Sequence, residues 1–346
     1  MNNKFIEKLG VYREKCDDII RNGSLRGFLS SFGLDDVMGS YIDALLLHSD
    51  GGKRIRAYLV ALGYGMCAGF ENCEKVLMPS LSYELFQTGI LAHDDIIDNS
   101  DYRRFKPSMH KYLGSGHDGV SKSICVGDFG IVSAIEILRC SGFSDSIILN
   151  AISHQNRVFS STIAGELKDI EFSYCDHANE KEILNMYLLK TAQYTVSGPL
   201  VLGCILAGAD EEFLKNISAF GDAVGISFQI RDDILGMFGE ENKLGKSNTS
   251  DMCEGKKTVL ISHFENVSDN ETKKAFFEVY GNENSTSDDL EIARKYLVDS
   301  GSLEYANALC KYYTDVATQK LEGLRISDEG KELLFGLLKY MTDRNN

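Results

Sequence analysis

Proline is almost missing from this chain, with three residues in 346. An interior proline removes a helical hydrogen bond and clashes with the preceding turn, so its scarcity favours long helices joined by short connections. Tryptophan is absent, which decides nothing. No run of about 18 uncharged apolar residues occurs, so no membrane-spanning helix is expected. The amino-terminal stretch MNNKFIEKLGVYREKCDDII is mixed in charge and lacks the apolar core of a signal peptide. Positive charge is also short, with 36 Lys and Arg against 51 Asp and Glu, a net charge of −15. A chain this acidic has no field to attract nucleic acid or anionic lipid. An anionic substrate would need a local cationic pocket or bridging metal ions. The nine cysteines are odd in number and never spaced as CxxC. That pattern fits neither a disulfide framework nor a zinc site, and reads as reduced thiols in a soluble cytoplasmic protein.

What is present is helical periodicity. Apolar residues recur every three or four positions over 53–68, 76–97, 123–138, 147–172, 180–195, 211–235, 290–298, 303–321 and 329–341. Short Gly/Asn/Asp/Ser stretches separate these segments, and no strand pair, internal repeat or low-complexity linker stands out. The expectation is an all-α protein, one large helical bundle spanning 1–346, since no composition break marks a boundary. Segments that are apolar on most faces, such as 195–209, belong inside such a bundle.

The stretch LAHDDIIDNSDYRRFKPSMH, residues 91–110, carries the strongest chemical signal. Asp94, Asp95 and Asp98 end a long apolar helical run, with Asp94 and Asp98 one turn apart on one face. Asp101 adds a fourth acid. Like charges repel at that spacing, and a helix carboxyl end is already partly negative. The cluster therefore calls for a cation, and carboxylates on one face with open positions suit Mg²⁺ bridged to phosphates. On its own the acid cluster reads equally well as a solvated helix end. Arg103, Arg104 and Lys106 follow, then Pro107 and His110. Paired arginines beside carboxylates supply the bidentate donors and compensating charge that a diphosphate requires.

Two further segments repeat the theme. Gly51-Gly52-Lys53-Arg54-Ile55-Arg56 precedes a helix, where glycines and a helix amino end favour an anion, although alone it also fits an ordinary basic loop. It is not a nucleotide-hydrolase phosphate loop, because GxxxxGK[ST] is absent. Residues 221–258 place a second acidic pair, Asp232 and Asp233, late in an apolar helix, followed by Lys246, Asp251, Lys256 and Lys257. Lys190-Thr191 lies in a fourth segment.

Together these motifs resemble the trans-isoprenyl (polyprenyl) diphosphate synthase family over about residues 51–258, with residues 259–346 completing the bundle. GGKRxR, then DDxxD with RR and P..H, then FQxRDDxLG…GK…D…GKKT come in that family's order. GELKDIE at 165–171 and KTAQYTVSGPLVLG at 190–203 look most like geranylgeranyl diphosphate synthases of bacterial type. The resemblance implies a magnesium-dependent prenyltransferase that condenses isopentenyl diphosphate with an allylic diphosphate, as a homodimer with three Mg²⁺ per active site. Lys53, Arg56, Gln87 and Arg104 would bind isopentenyl diphosphate. Asp94 and Asp98, with Asp95 in the same cluster, would hold Mg²⁺ on the allylic diphosphate, and Asp232 a further ion beside Asp233. Arg103, Lys190, Lys246 and Lys256 would grip that diphosphate, while Thr191 and Gln229 would face the allylic cation.

Two positions depart from the family pattern: Gly236 replaces the last acid of the second motif, and Phe105 stands where glycine is usual. Product length should be set one turn before Asp94, at Gly89 and Ile90. Neither is aromatic, which predicts a cavity reaching down to Phe86 and a C20 product. The alternatives are a farnesyl or longer-chain synthase, or a class I terpene cyclase. The cyclase would need no GGKRxR and would carry an Asn/Ser/Glu metal motif that is not found.

Overall fold

Helix accounts for nearly all of the secondary structure in the computed structural model, which describes residues 4–175, 177–239 and 250–342. The order is α1 (Lys4–Arg21), α2 (Ser24–Ser30), α3 (Asp35–Ser49), α4 (Ile55–Ala68), α5 (Leu77–Ile97), α6 (Met109–Leu113), α7 (Gly116–Arg139), α8 (Asp145–Ser173) and α9 (Glu180–Tyr187). A π-helical segment (Leu188–Ser197), α10 (Gly198–Leu206) and α11 (Glu211–Phe238) follow, and further helices run to Thr342. Among the described residues no helix is long and apolar enough to cross a membrane. Among the described residues the one sheet is a ladder of two-residue strands, β1 (Tyr102–Arg103) and β2 (Lys106–Pro107). It is too short to leave a period-two signature, which is why the sequence showed no strand pair.

The chain forms two compact units, and each draws on separated stretches. One comprises Met1–Gln155, Pro199–Leu214 and Ile326–Leu333, the other Asn156–Gly198, Lys215–Arg325 and Leu334–Asn346. No single cut in the sequence separates them, so no composition break could have marked a boundary.

In the first unit α5 packs most extensively on α7. The contact is close because glycines meet: a Cβ on Gly89 would lie 2.6 Å from the Gly127 carbonyl oxygen and 3.0 Å from Ile131 Cγ1. Gly89 is therefore small because a helix backbone presses against it. This corrects the expectation that its smallness leaves room for a growing chain. Phe86, one turn back, is fully buried, and Ile90 is half-buried.

The start of α4 is also corrected, from residue 53 to Ile55. Arg54 takes a left-handed backbone (φ 56°) and its side chain turns inward. There Nε donates to Asp17 Oδ1 at 2.8 Å and Nη1 to Glu84 Oε2 at 2.9 Å, with all three side chains under a tenth exposed. This buried triad ties α1, the loop and α5 together.

In the second unit a core of Tyr187, Ile226, Ile230, Ile261, Phe264 and Phe276, among others, takes in Ala192 of the π segment, with Leu188 packed against it. The sequence predicted an unbroken α-helix over 180–195. Instead the pitch widens from Leu188, where Lys190 and Thr191 sit. Glycines accommodate the wider backbone: a Cβ on Gly165 would lie 2.3 Å from Lys190 N, and one on Gly225 2.4 Å from Ala192 Cα. Widened turns of this kind recur at functional sites.

Candidate active site

The acidic end of α5 is shaped by how that helix stops. Asn99 takes a left-handed conformation (φ 51°), Ser100 N–H donates to Asp95 O at 2.9 Å, and Asn99 N–H to Ile96 O at 3.3 Å. This paired closure satisfies the Asp95 and Ile96 carbonyls. It leaves Asp94 half-buried and Asp98 exposed at the tip, while Asp95 turns inward and is 2 % exposed. Arg103 spans the two neighbours: Nε donates to Asp95 Oδ1 at 2.6 Å and Nη2 to Asp94 Oδ2 at 2.8 Å. Burial pushes the Asp95 carboxyl above its ordinary value despite Arg103. Asp95 is thus the anchor of Arg103, and Asp94 with Asp98 forms the outer pair.

The hairpin carries the arginines. Its two-residue loop, Arg104-Phe105, has φ of 53° and 61°, the paired left-handed geometry of a type I′ turn. Glycine adopts the second position freely, which explains why a family pattern would hold glycine where this chain has Phe105. Phe105 is 90 % exposed, and nothing in the structure explains its presence. Phe105→Gly should therefore raise stability by about 1 kcal/mol through relief of the left-handed strain. Urea titration checks this, and a lower midpoint would contradict it.

A recess beside the hairpin is lined by His48, Thr88, Asp95, Arg103, Arg104 and Lys106, among others. His48 fixes its rim, with Nε2 3.1 Å from the Pro107 carbonyl and Nδ1 2.8 Å from the Ala44 carbonyl. Arg104 lies over Gly52, where a Cβ would be 3.1 Å from Arg54 Nη1 and 3.4 Å from Arg104 Nη1. Burial lowers the pKa of the Arg104 guanidinium; Glu84 opposes this, while the charges of Arg54, Arg103 and Arg56 add to it. Such crowded cations favour an incoming anion. Arg56 is half-buried in the first turn of α4. Lys53 stays exposed in its loop and Gln87 half-buried on α5, and neither borders the recess.

The second unit holds a separate recess of about 130 Å³, lined by Asp169, Tyr187, Lys190, Thr191, Gln229, Asp232, Asp233, Lys256, Lys257 and Thr258. Lys190 is clamped by Asp169 and, at 2.9 Å, by Glu166, both from the GELKD stretch of α8. Burial works against its charge, but the two carboxylates prevail and hold the ammonium well above its ordinary range. Thr191 Oγ1 donates to Gln229 Oε1 at 2.7 Å, and Gln229 Nε2 to Asp233 Oδ1 at 2.8 Å. The Tyr187 hydroxyl donates to Asp233 Oδ2. Both Asp233 oxygens are engaged, whereas Asp232 is exposed. Gly236 is buried on the same helix, so its place offers no further ligand.

Lys256 pairs with Glu254 at 3.1 Å, and its carbonyl accepts from the Tyr280 hydroxyl. Lys257 is more enclosed, bonded to Glu265 at 3.3 Å and lying over the Phe277 ring. Lys246 lies outside the described residues. Sequence reasoning missed Tyr187, Glu166 and Asp169 as partners of these groups. Glu166 and Asp169 stood in a quoted motif, whereas Tyr187 looked like one more core aromatic.

The helical fold and the paired clusters of acids and cations accord with one family, and the chain belongs to it: the polyprenyl synthetase family, whose model matches residues 41–297. It is an enzyme that transfers prenyl groups. The geranylgeranyl diphosphate synthase of Saccharolobus solfataricus is 32% identical over 301 residues, 85% of this chain and 86% of that protein. The geranylfarnesyl diphosphate synthase of Aeropyrum pernix is 31% identical, over 87% of this chain and 93% of that protein. Among solved structures, geranylgeranyl pyrophosphate synthase of Corynebacterium glutamicum, complexed with isoprenyl diphosphate and magnesium, superimposes with a TM-score of 0.87. It is 28% identical and both chains are fully covered.

Proposed function

We propose that this enzyme condenses isopentenyl diphosphate with dimethylallyl, geranyl or farnesyl diphosphate and releases geranylgeranyl diphosphate. The observation that carries the reading is the bonding of Arg103, on a hairpin that also bears Arg104, to Asp94 and Asp95 at the end of α5, with Asp98 exposed beside them. Acids that repel one another at a helix end and arginines that crowd one another both gain from a metal–diphosphate ligand.

The donor set fits magnesium. Among the described residues no three His, Cys, Asp or Glu side chains converge as a ready metal cage. Mg²⁺ is commonly held by one or two carboxylates with substrate phosphates and water completing the shell. Asp94 and Asp98 would hold it in the first unit and Asp232 in the second, with three ions in all. Bound there, magnesium would neutralise the charge of the departing diphosphate. The family resemblance assigns Arg103, Lys190, Lys246 and Lys256 to the allylic diphosphate, and Lys53, Arg56, Gln87 and Arg104 to isopentenyl diphosphate. As the allylic C–O bond breaks, Thr191 and Gln229 face the developing cation. The isopentenyl double bond attacks it, a C–C bond forms, and the adjacent proton leaves to the released diphosphate, so no side-chain base is required.

We further propose a cytoplasmic homodimer; Ile124 and Val132, exposed on α7, supply apolar surface for a partner copy. C20 is supported by the absence of an aromatic at Ile90 and by the geranylgeranyl product named for the Saccharolobus solfataricus relative, while the Aeropyrum pernix relative is named for the longer geranylfarnesyl product. The test is incubation with labelled isopentenyl diphosphate and each primer, followed by dephosphorylation and chromatography. Label in a C20 alcohol is expected. C15 or C25 products would keep the reaction and overturn the length. Consumption of farnesyl or geranylgeranyl diphosphate to a hydrocarbon without label would overturn the reaction itself. With Phe86 as the cavity floor, Phe86→Ala should shift label toward longer alcohols, and an unchanged distribution would return Phe86 to the core.

A further inference from the structure

We propose that Tyr187 is a positioning residue for the reaction, one that acts through Asp233 to set the polarity of a hydrogen-bond relay ending at Thr191. The inference rests on the reading above, in which Thr191 and Gln229 face the allylic cation. Tyr187 is 1 % exposed, in the last turn of α9. Its oxygen accepts from Val259 N–H at 3.2 Å and its hydroxyl donates to Asp233. The second Asp233 oxygen accepts from Gln229, one turn away on α11.

An ionised carboxylate only accepts, so the amide nitrogen of Gln229 must face Asp233. The amide oxygen is then left for Thr191, whose hydroxyl proton is committed to it. Thr191 lines the recess, and with its proton spent on Gln229 it presents lone pairs rather than a donor. Lone pairs suit a carbon that is becoming positive, and a hydroxyl proton would oppose it. The order of donors along Tyr187, Asp233, Gln229 and Thr191 thus decides which end of the threonine dipole the substrate meets. It also accounts for Asp233, whose two oxygens serve this relay while Asp232 remains at the recess.

Tyr187→Phe removes only the hydroxyl. Its kcat should fall about tenfold, through loss of oriented dipoles at the reacting carbon, while the KM for isopentenyl diphosphate holds. Gln229→Leu breaks the same relay one step later, so Tyr187→Phe added to it should cost little more; coupling of this kind marks a shared interaction. Retention of wild-type kcat with only a lower melting temperature would overturn the proposal and leave a structural tyrosine, as would losses that multiply in the double variant. Where Tyr187→Phe does not fold, Asp233→Asn keeps the shape but leaves one acceptor for two donors. Its kcat should fall similarly, and an unchanged value overturns the relay. A wild-type enzyme that incorporates no label overturns the reaction and the relay together, which that control distinguishes from failure of the relay alone.

Discussion

Asp94→Ala should lower turnover by about a thousandfold or more, the scale expected when a metal loses a ligand that stabilises transition-state charge. Stability should change by less than about 1 kcal/mol, as for a partly exposed ion pair. Its side chain is a quarter exposed. The Arg103 contact it would lose is offset by relief of repulsion from Asp98 one turn away, at the negative end of α5. Arg103 keeps its bond to the buried Asp95, so the hairpin retains its anchor. Label incorporation and thermal melting should be read on the same preparation. A fully active variant would remove Asp94 from the metal site, and a melting point far below wild type would make it a structural residue.

The largest loss of stability should come from Arg54→Met, although Arg54 lies in the same basic motif as the substrate-binding candidates Lys53 and Arg56. The side chain is 1 % exposed, and its removal leaves Asp17 and Glu84 buried without their shared cation. Deleting one member of a buried ion pair costs about 3–5 kcal/mol, because an uncompensated charge stays behind. Glu84→Gln in the same chain removes one of the stranded charges, and the double variant should regain part of the loss. The midpoint of urea unfolding measures both. A midpoint near wild type for Arg54→Met would show that water reaches the acids and that the triad matters little.

That contrast shows where sequence stops being legible. The three basic residues of KRIR are alike in composition, yet one turns inward because its backbone adopts φ 56°, and no residue-type rule signals that conformation for arginine. The helices were legible because apolar spacing repeats over many turns and errors at one position average out. The acids of α5 were legible because they are costly without a ligand. By contrast, the widening at Leu188 changes the pitch without changing which residues are apolar. The backbone that makes room for it belongs to Gly165 and Gly225, far away in sequence. Tyr187 was hidden by its own chemistry: a phenol in an apolar run looks like core until its hydroxyl is found against Asp233. Gly89 misled for a similar reason, since smallness signals either open space or a pressed contact.

For anyone wishing to retune what this enzyme makes, the Gly89 contact closes the most obvious door. A larger side chain there would pry α5 away from the Gly127 backbone and drag the acidic tip of α5 with it. Product size and catalytic competence would then fall together and look, in an activity screen, like a single dead variant. Ile90 and Phe86 lie on the same helix without a glycine's need for a bare backbone contact. They are where a library should spend its diversity.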